Sequence, residues 1–427
     1  MDEDVRLTAS RRDLLRYSAI AGVALMGVPL RAATAANWPN LDAMAKGYVD
    51  EGTVANMLAS IGQGDAAPAI LAHGYDSFGG SRATDADSLY RIYSMTKPIT
   101  GMAAMILIDE GKLGLDQPLA EILPKFDNMQ VQKAYDGPIT PDNLEPAARP
   151  ITIRQMLTHT AGLPYSTVQS GPLAQDMRKR GVVSGRVSRL TAFSRGTPVA
   201  SLAAFADGLA ATPLIAQPGT KWIYSTGLDL MGRVIEVASG QAFDSFLQQR
   251  IFDPCGMTST FFTVPAGELG RMTSNYGLED GKLVTVDAAD SSIYAEPAPF
   301  PMGGSGLVSS PRDYDRFLKM LAGYGRIETR RVMGELAVRV GTANLLEDLS
   351  PLVGTSVEGY GYGAGGRIGW AGMKHAYGWA GAANTVGFVD KGSGLRVGLF
   401  TQFASAPQGQ LTGQLDEALA KDLALHE

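Results

Sequence analysis

Ser94 and Lys97 stand three residues apart in Ser94-Met95-Thr96-Lys97, where a strand-like run from Leu89 to Tyr93 gives way to helical periodicity over Thr96 to Glu110. In the first turn of a helix, residues at this spacing share a face, so the hydroxyl and the amine can meet. A neutral lysine could then take the serine proton as the hydroxyl attacks a carbonyl. That role asks for a Lys97 that is desolvated or near other positive potential, so that its pKa falls. The helix N-terminus contributes such potential, and the backbone amide of Ser94 can face a developing oxyanion. Pro98 is tolerated at the next position, because the donors of a first helical turn have no intrahelical partner anyway.

Other chemistries fit the chain less well. No serine has glycine at both outer positions of a G-x-S-x-G elbow; Gly303-Gly304-Ser305-Gly306-Leu307 fails at the last residue. Histidine is confined to His73, His159, His375 and His426, none in a recognisable triad setting. There is no H-E-x-x-H and no ligand cluster, so neither a metal nor an organic cofactor is expected. The glycine-rich run Gly359 to Gly366 lacks a following lysine–serine pair and reads as a strand with turn glycines. Cys255, the single cysteine, lies in an apolar turn and reads as a buried thiol, and no intramolecular disulfide can form. Met95, Met102 and Met105 read as core residues on a helix face.

S-x-x-K alone recurs by chance in a chain this long; its weight comes from the segments that follow it. Ile92-Tyr93-Ser94-Met95-Thr96-Lys97-Pro98, then Gln217 to Thr226 with Tyr224-Ser225, then Tyr377-Gly378-Trp379-Ala380-Gly381-Ala382-Ala383 appear in that order. Together they resemble the serine β-lactamase and penicillin-binding-protein superfamily, in its class C-like branch with the family VIII carboxylesterases and D-aminopeptidases. Leu157 to Leu163 and Gly303 to Ser310 support the likeness, which spans nearly the whole chain after the leader. The resemblance implies Ser94 as the acylated nucleophile, Lys97 as its partner base and Tyr224 as the phenol that shuttles the proton. It implies an oxyanion hole from the amides of Ser94 and Ala382, and it makes the His159 segment a structural loop at a helix end. Trp379, Gly381 and Thr226 are expected to line the substrate site.

Departures from the lactamase pattern bear on the substrate. Trp379 stands where β-lactamases carry the lysine of K-T-G, and Thr226 replaces the amide side chain of Y-x-N. Losing a cation and an amide donor weakens recognition of an anionic amide, while an aromatic wall favours a neutral, apolar acyl group. Ester hydrolysis is therefore preferred. The alternatives are β-lactamase, D-aminopeptidase or D-Ala-D-Ala carboxypeptidase activity, and more distantly a non-catalytic binding protein with this fold.

The elements that must hold these residues come from both ends of the chain. Strand-like runs occur at Thr53 to Gly62, Ala67 to Tyr75, Tyr360 to Ile368, Ala376 to Val389 and Leu395 to Phe403. The short Asp390 to Gly394 turn argues for antiparallel pairing. Helices are expected at Leu41 to Val49, at Pro311 to Tyr324 with Ser310 as cap, and from Gln410 to Leu425. Residues 116–299 read as helical periods broken by loops; of these, 136–150 reads as a surface excursion and 169–197 as a mobile flap. The fold class is thus α/β (α+β): an antiparallel sheet flanked by helices, formed by residues 36–115 and 300–427, plus a mostly helical inserted lobe at 116–299.

Residues 1–35 read as a leader rather than as fold. Paired Arg11-Arg12 precede an apolar stretch, Tyr17 to Leu30, and Ala33-Thr34-Ala35 offers a cleavage site. This pattern suggests a twin-arginine-type export signal, with a periplasmic or secreted product. The apolar stretch is short of the roughly 20 residues a membrane helix needs, so no stable anchor is expected after its removal. The 427 residues carry a net charge of −6 and no basic block, which argues against nucleic acid as a partner; the expected partner is the small-molecule ester that the departures from the lactamase pattern favour.

Overall fold

The computed structural model describes residues 37–425 except 186, 187, 191, 192, 194, 195, 347, 349 and 405–407. The expected leader lies outside the described residues. A seven-stranded sheet organises the rest. Its strands are β1 (Asn56–Gln63), β2 (Ala69–Gly74), β3 (Gly361–Tyr362), β4 (Arg367–Trp370), β5 (Met373–Gly381), β6 (Thr385–Asp390) and β7 (Leu395–Phe400). They lie in the order β3-β4-β5-β6-β7-β1-β2, and every neighbour is antiparallel. The N-terminal hairpin thus closes onto the last strand, with Leu58 opposite Phe400.

Every residue of β6 and β7 is buried, because both faces of the sheet are covered. On one face lie helices α1 (Pro39–Asp50) and the C-terminal Gln408–Ala424, whose Leu41, Leu415 and Leu419 pack with Met57, Val397 and Leu399. On the other face lie α2 (Thr96–Asp109) and Pro311–Ala322, with Met95, Ile99, Tyr314 and Phe317 packed against Leu58, Tyr377 and Phe400. Ser310 caps the latter helix by accepting from the Asp313 N–H at 3.2 Å. Residues Thr96 to Ile108 of α2 are all buried, so this helix is a central rod rather than an amphipathic surface element.

Three expectations need correction. The run Ala376 to Val389 is two strands, β5 and β6, because Ala382 to Asn384 reverse the chain, with Asn384 at φ +61°. The stretch 169–197 contains a helix, Gly171–Lys179, so it is not a continuous loop. The stretch 116–299 is not built from helices alone: Asn275–Glu279 and Lys282–Asp287 pair as a hairpin around Asp280-Gly281, both at positive φ. Helices do dominate the remainder of that stretch, including Ile153–Leu157, Leu202–Ala210 and α3 (Gly227–Ser239), which packs on α2. Cys255 is buried, and burial pushes its thiol up to about 12, so it is inert at neutral pH.

Candidate active site

The two-residue strand Tyr90–Arg91 delivers the chain into a 3-10 turn, Tyr93–Met95, that runs straight into α2. Ser94 therefore sits at the N-terminal end of a buried helix. The turn carries a cost: Tyr93 adopts φ +40°, a left-handed conformation that a bulky residue rarely takes. Two fixed contacts hold it there. The Tyr93 hydroxyl accepts from Asn275 Nδ2 at 3.0 Å. Two residues upstream, the fully buried Arg91 pairs with Asp287, donating from Nε to Oδ2 at 2.6 Å. Arg91 also meets Ser292 Oγ, Gln402 Oε1 and the Thr273 carbonyl. Both anchors come from the hairpin at Asn275–Asp287, which sequence reading did not foresee.

Two side chains converge on the Ser94 oxygen. Tyr224 Oη donates to Ser94 Oγ at 2.8 Å, and Lys97 Nζ donates to it at 3.2 Å. Lys97 is fully buried, and its Nζ also donates to the Gly304 carbonyl at 2.6 Å and lies 4.5 Å from the centre of the Tyr224 ring. Trp379, on β5, stacks against Tyr224 with centroids 5.8 Å apart and donates its indole N–H to Tyr224 Oη at 3.3 Å. The indole thus does more than wall the site. A hydrogen bond donated to the phenol oxygen stabilises its anion. Ser94, Tyr224 and Trp379 are all partly open to solvent, as a substrate-facing group must be.

The end of β5 approaches the turn that carries Ser94 closely. A Cβ at Gly381 would lie 2.4 Å from the Ile92 carbonyl oxygen and 2.2 Å from Thr385 Oγ1, so only glycine fits there. This packing brings the partly exposed Ala382 beside the Tyr93 cluster. Thr226 is placed differently from the expectation of a substrate-lining residue. It is fully buried, and its hydroxyl donates to the Pro164 carbonyl at 2.9 Å, turning away from any substrate.

His159 does not reach Ser94. It follows the helix Ile153–Leu157 at φ +58°, and its Nδ1 meets Ser225 Oγ at 3.0 Å and accepts from the Ser225 N–H at 3.2 Å. The ring lies against Tyr224, Trp222 and Tyr362, so it helps build the wall behind the phenol. Burial, aided by the charge of Lys97, holds its pKa well below the ordinary value near 6.5. A histidine kept neutral in the fold contributes stability that is complete above pH 6.5 and is lost as the pH falls toward its folded pKa. The expected result is a loss of up to ~1.4 kcal/mol per pH unit below pH 6.5, measured by urea unfolding. His159→Asn should flatten that slope; an equal slope in parent and variant would rule out this origin.

A groove of about 720 Å³ between α1 and the C-terminal helix shares no lining residue with this cluster.

The Beta-lactamase family profile matches residues 41–420, and the chain belongs to that family. Among its relatives, it is 28% identical over 360 residues to the lovastatin esterase of Penicillium rubens, covering 79% of this chain and 85% of that protein. It is 28% identical over 358 residues to the esterase EstB of Burkholderia gladioli, covering 78% and 82% of the two chains. The solved structure of EstCE1, a hydrolase with promiscuous acyltransferase activity, superposes with a TM-score of 0.72 at 20% identity, over 90% of this chain and 98% of that one. That likeness shows the fold: a β-lactamase-like sheet flanked by helices, as the residues had led us to expect.

Proposed function

We propose that the protein hydrolyses carboxylic esters of apolar acids through an acyl-enzyme on Ser94. The observation that carries this reading is the convergence of Lys97 Nζ and Tyr224 Oη on one serine oxygen. Ser94 Oγ attacks the ester carbonyl, and its proton passes to the Lys97–Tyr224 pair. The amides of Ser94 and Ala382 receive the oxyanion. The pair returns the proton to the departing alcohol, and water then repeats the sequence to free the acid. No cofactor enters this scheme.

The preference for esters rests on what surrounds the pair. Tyr224 and Trp379 pack with Leu346, Leu352 and Trp222, an apolar and aromatic wall. An indole where a lactamase lysine would stand offers no charge to a carboxylate. The esterase relatives favour the same reading. Export by residues 1–35 belongs to the proposal too, and an N-terminal sequence of secreted material checks it.

Intact-mass measurement after brief exposure to short nitrophenyl esters, nitrocefin and a D-Ala-D-Ala peptide tests the reading. The expected result is an acyl adduct and turnover with the esters. Turnover of the lactam or the peptide in preference to every ester would replace the substrate class. No adduct with any of them, and none with a fluorophosphonate, would leave a binding protein.

A further inference from the structure

Lys97 is gripped from behind by a loop whose own anchor is a buried carboxylate. Asp229 is the third residue of α3, fully buried, where the N-terminal dipole of that helix favours negative charge. Its Oδ1 accepts the N–H of Gly304 at 3.0 Å. The other end of the same peptide unit, the Gly303 carbonyl, accepts from Thr100 Oγ1 at 2.7 Å. The Gly303–Gly304 peptide is therefore pinned at both ends. The next carbonyl, that of Gly304, points at Lys97 Nζ, 2.6 Å away. The fit is close: a Cβ at Gly304 would lie 2.4 Å from Asp229 Oδ2, and one at Gly303 would lie 2.4 Å from the Leu228 carbonyl.

We infer that Asp229 is a positioning residue for Lys97, fixing the Gly303–Gly304 peptide so that the Gly304 carbonyl holds the amine against Ser94. The inference rests on the Ser94–Lys97–Tyr224 reading and adds a component to it. A flexible four-carbon side chain with three donors does not choose one direction by itself. With one N–H taken by a fixed carbonyl, the remaining lone-pair or donor direction is aimed at Ser94 Oγ.

Among the described residues, these titratable groups surround Lys97. Tyr224 lies over it, and the neutral His159 feels its charge. Tyr377, on β5, is kept protonated by burial and donates to the Ala364 carbonyl. On the helix Glu335–Gly341, also packed on α2, Arg339 pairs with Glu335; Arg154, on the helix Ile153–Leu157, pairs with Asp116. Asp229 is the acid of this set that reaches the Lys97 loop.

The test uses the full chain and a nitrophenyl ester. Asp229→Asn keeps the shape of the side chain but replaces the carboxylate acceptor of the Gly304 N–H with a weaker neutral one. It should lower kcat several-fold, with KM little changed. Thr100→Val removes the other anchor and should lower kcat on the order of tenfold, again with KM little changed. Gly304→Ala should lower kcat further, by displacing the carbonyl. A kcat unchanged in folded Asp229→Asn overturns the inference. If Asp229→Asn does not fold, a parent-like kcat in Thr100→Val and Gly304→Ala overturns it instead. Ser94→Ala separates the two claims. Retained ester turnover there defeats the nucleophile itself, whereas a dead Ser94→Ala beside a parent-like Asp229→Asn defeats this inference alone.

Discussion

Ser94→Ala should lower kcat/KM for a short nitrophenyl ester by at least ~10⁴-fold in a protein that still unfolds at the parent's midpoint. Without the hydroxyl there is no covalent path, and what remains is the residual catalysis of an oxyanion site and binding. Lys97→Ala and Tyr224→Phe should each cost about 10²–10⁴-fold, the range of a positioned proton-transfer group. Tyr224→Phe is the more discriminating of the two. It keeps the ring against Trp379 and His159 and deletes only the oxygen that meets Ser94 at 2.8 Å and the indole N–H at 3.3 Å. A Tyr224→Phe enzyme running at the parent rate would remove the phenol from the mechanism, and a Ser94→Ala enzyme doing so would remove the whole scheme. The three losses should not add, because the three groups serve one proton path.

Asp287→Ala should destabilise the fold by about 3–5 kcal/mol, a large share of the 5–15 kcal/mol by which domains are stable. The cause is the guanidinium left behind. Arg91 has no exposure to water, and alanine at 287 strips it of its counter-charge while its remaining partners are neutral. Urea unfolding reads the loss, and a parent-like midpoint would show that the pair contributes nothing net. Activity should fall before the protein unfolds. The hairpin carrying Asp287 also carries Asn275, which holds the hydroxyl of the left-handed Tyr93 next to Ser94. Loosening the hairpin frees that residue to relax, and Ser94 moves with it.

These two sets of residues also show where sequence reading succeeds and where it stops. Ser94 and Lys97 are legible because their partnership is local, three positions in one helical turn, and Tyr224 and Trp379 because they sit in segments of known order. β1, β2 and β7 are legible because each lies within a β-rich run bounded by turn residues, whereas nothing in the run Ala376 to Val389 marks the reversal at Ala382 to Asn384 that separates β5 from β6. Arg91 and Asp287 are not, since they stand 196 positions apart and nothing in either neighbourhood names the other. Asp229 looks like an ordinary first-turn acid, and only the fold puts Gly304 on its oxygen. Thr226 misled because it fills the third position of the Y-x-N motif, whereas at the start of α3 its hydroxyl donates inward to the Pro164 carbonyl. The hairpin at 275–287 did leave a signal, Asp280-Gly281 between two β-rich runs, which is a strong short-range turn pattern.

The pairing of β1 with β7 has a consequence for how the protein comes into being. Asn56 and Thr401 are hydrogen-bonded although 345 residues apart. Until the ribosome has made residue 400, the N-terminal hairpin has no strand to close on, and its edge stands open to other chains. At ~5–20 residues per second, the segment holding Ser94 waits roughly 15–60 s for β7 to be made. A chain cut short between residues 224 and 395 holds Ser94, Lys97 and Tyr224 and still lacks β7, the strand on which the N-terminal hairpin closes.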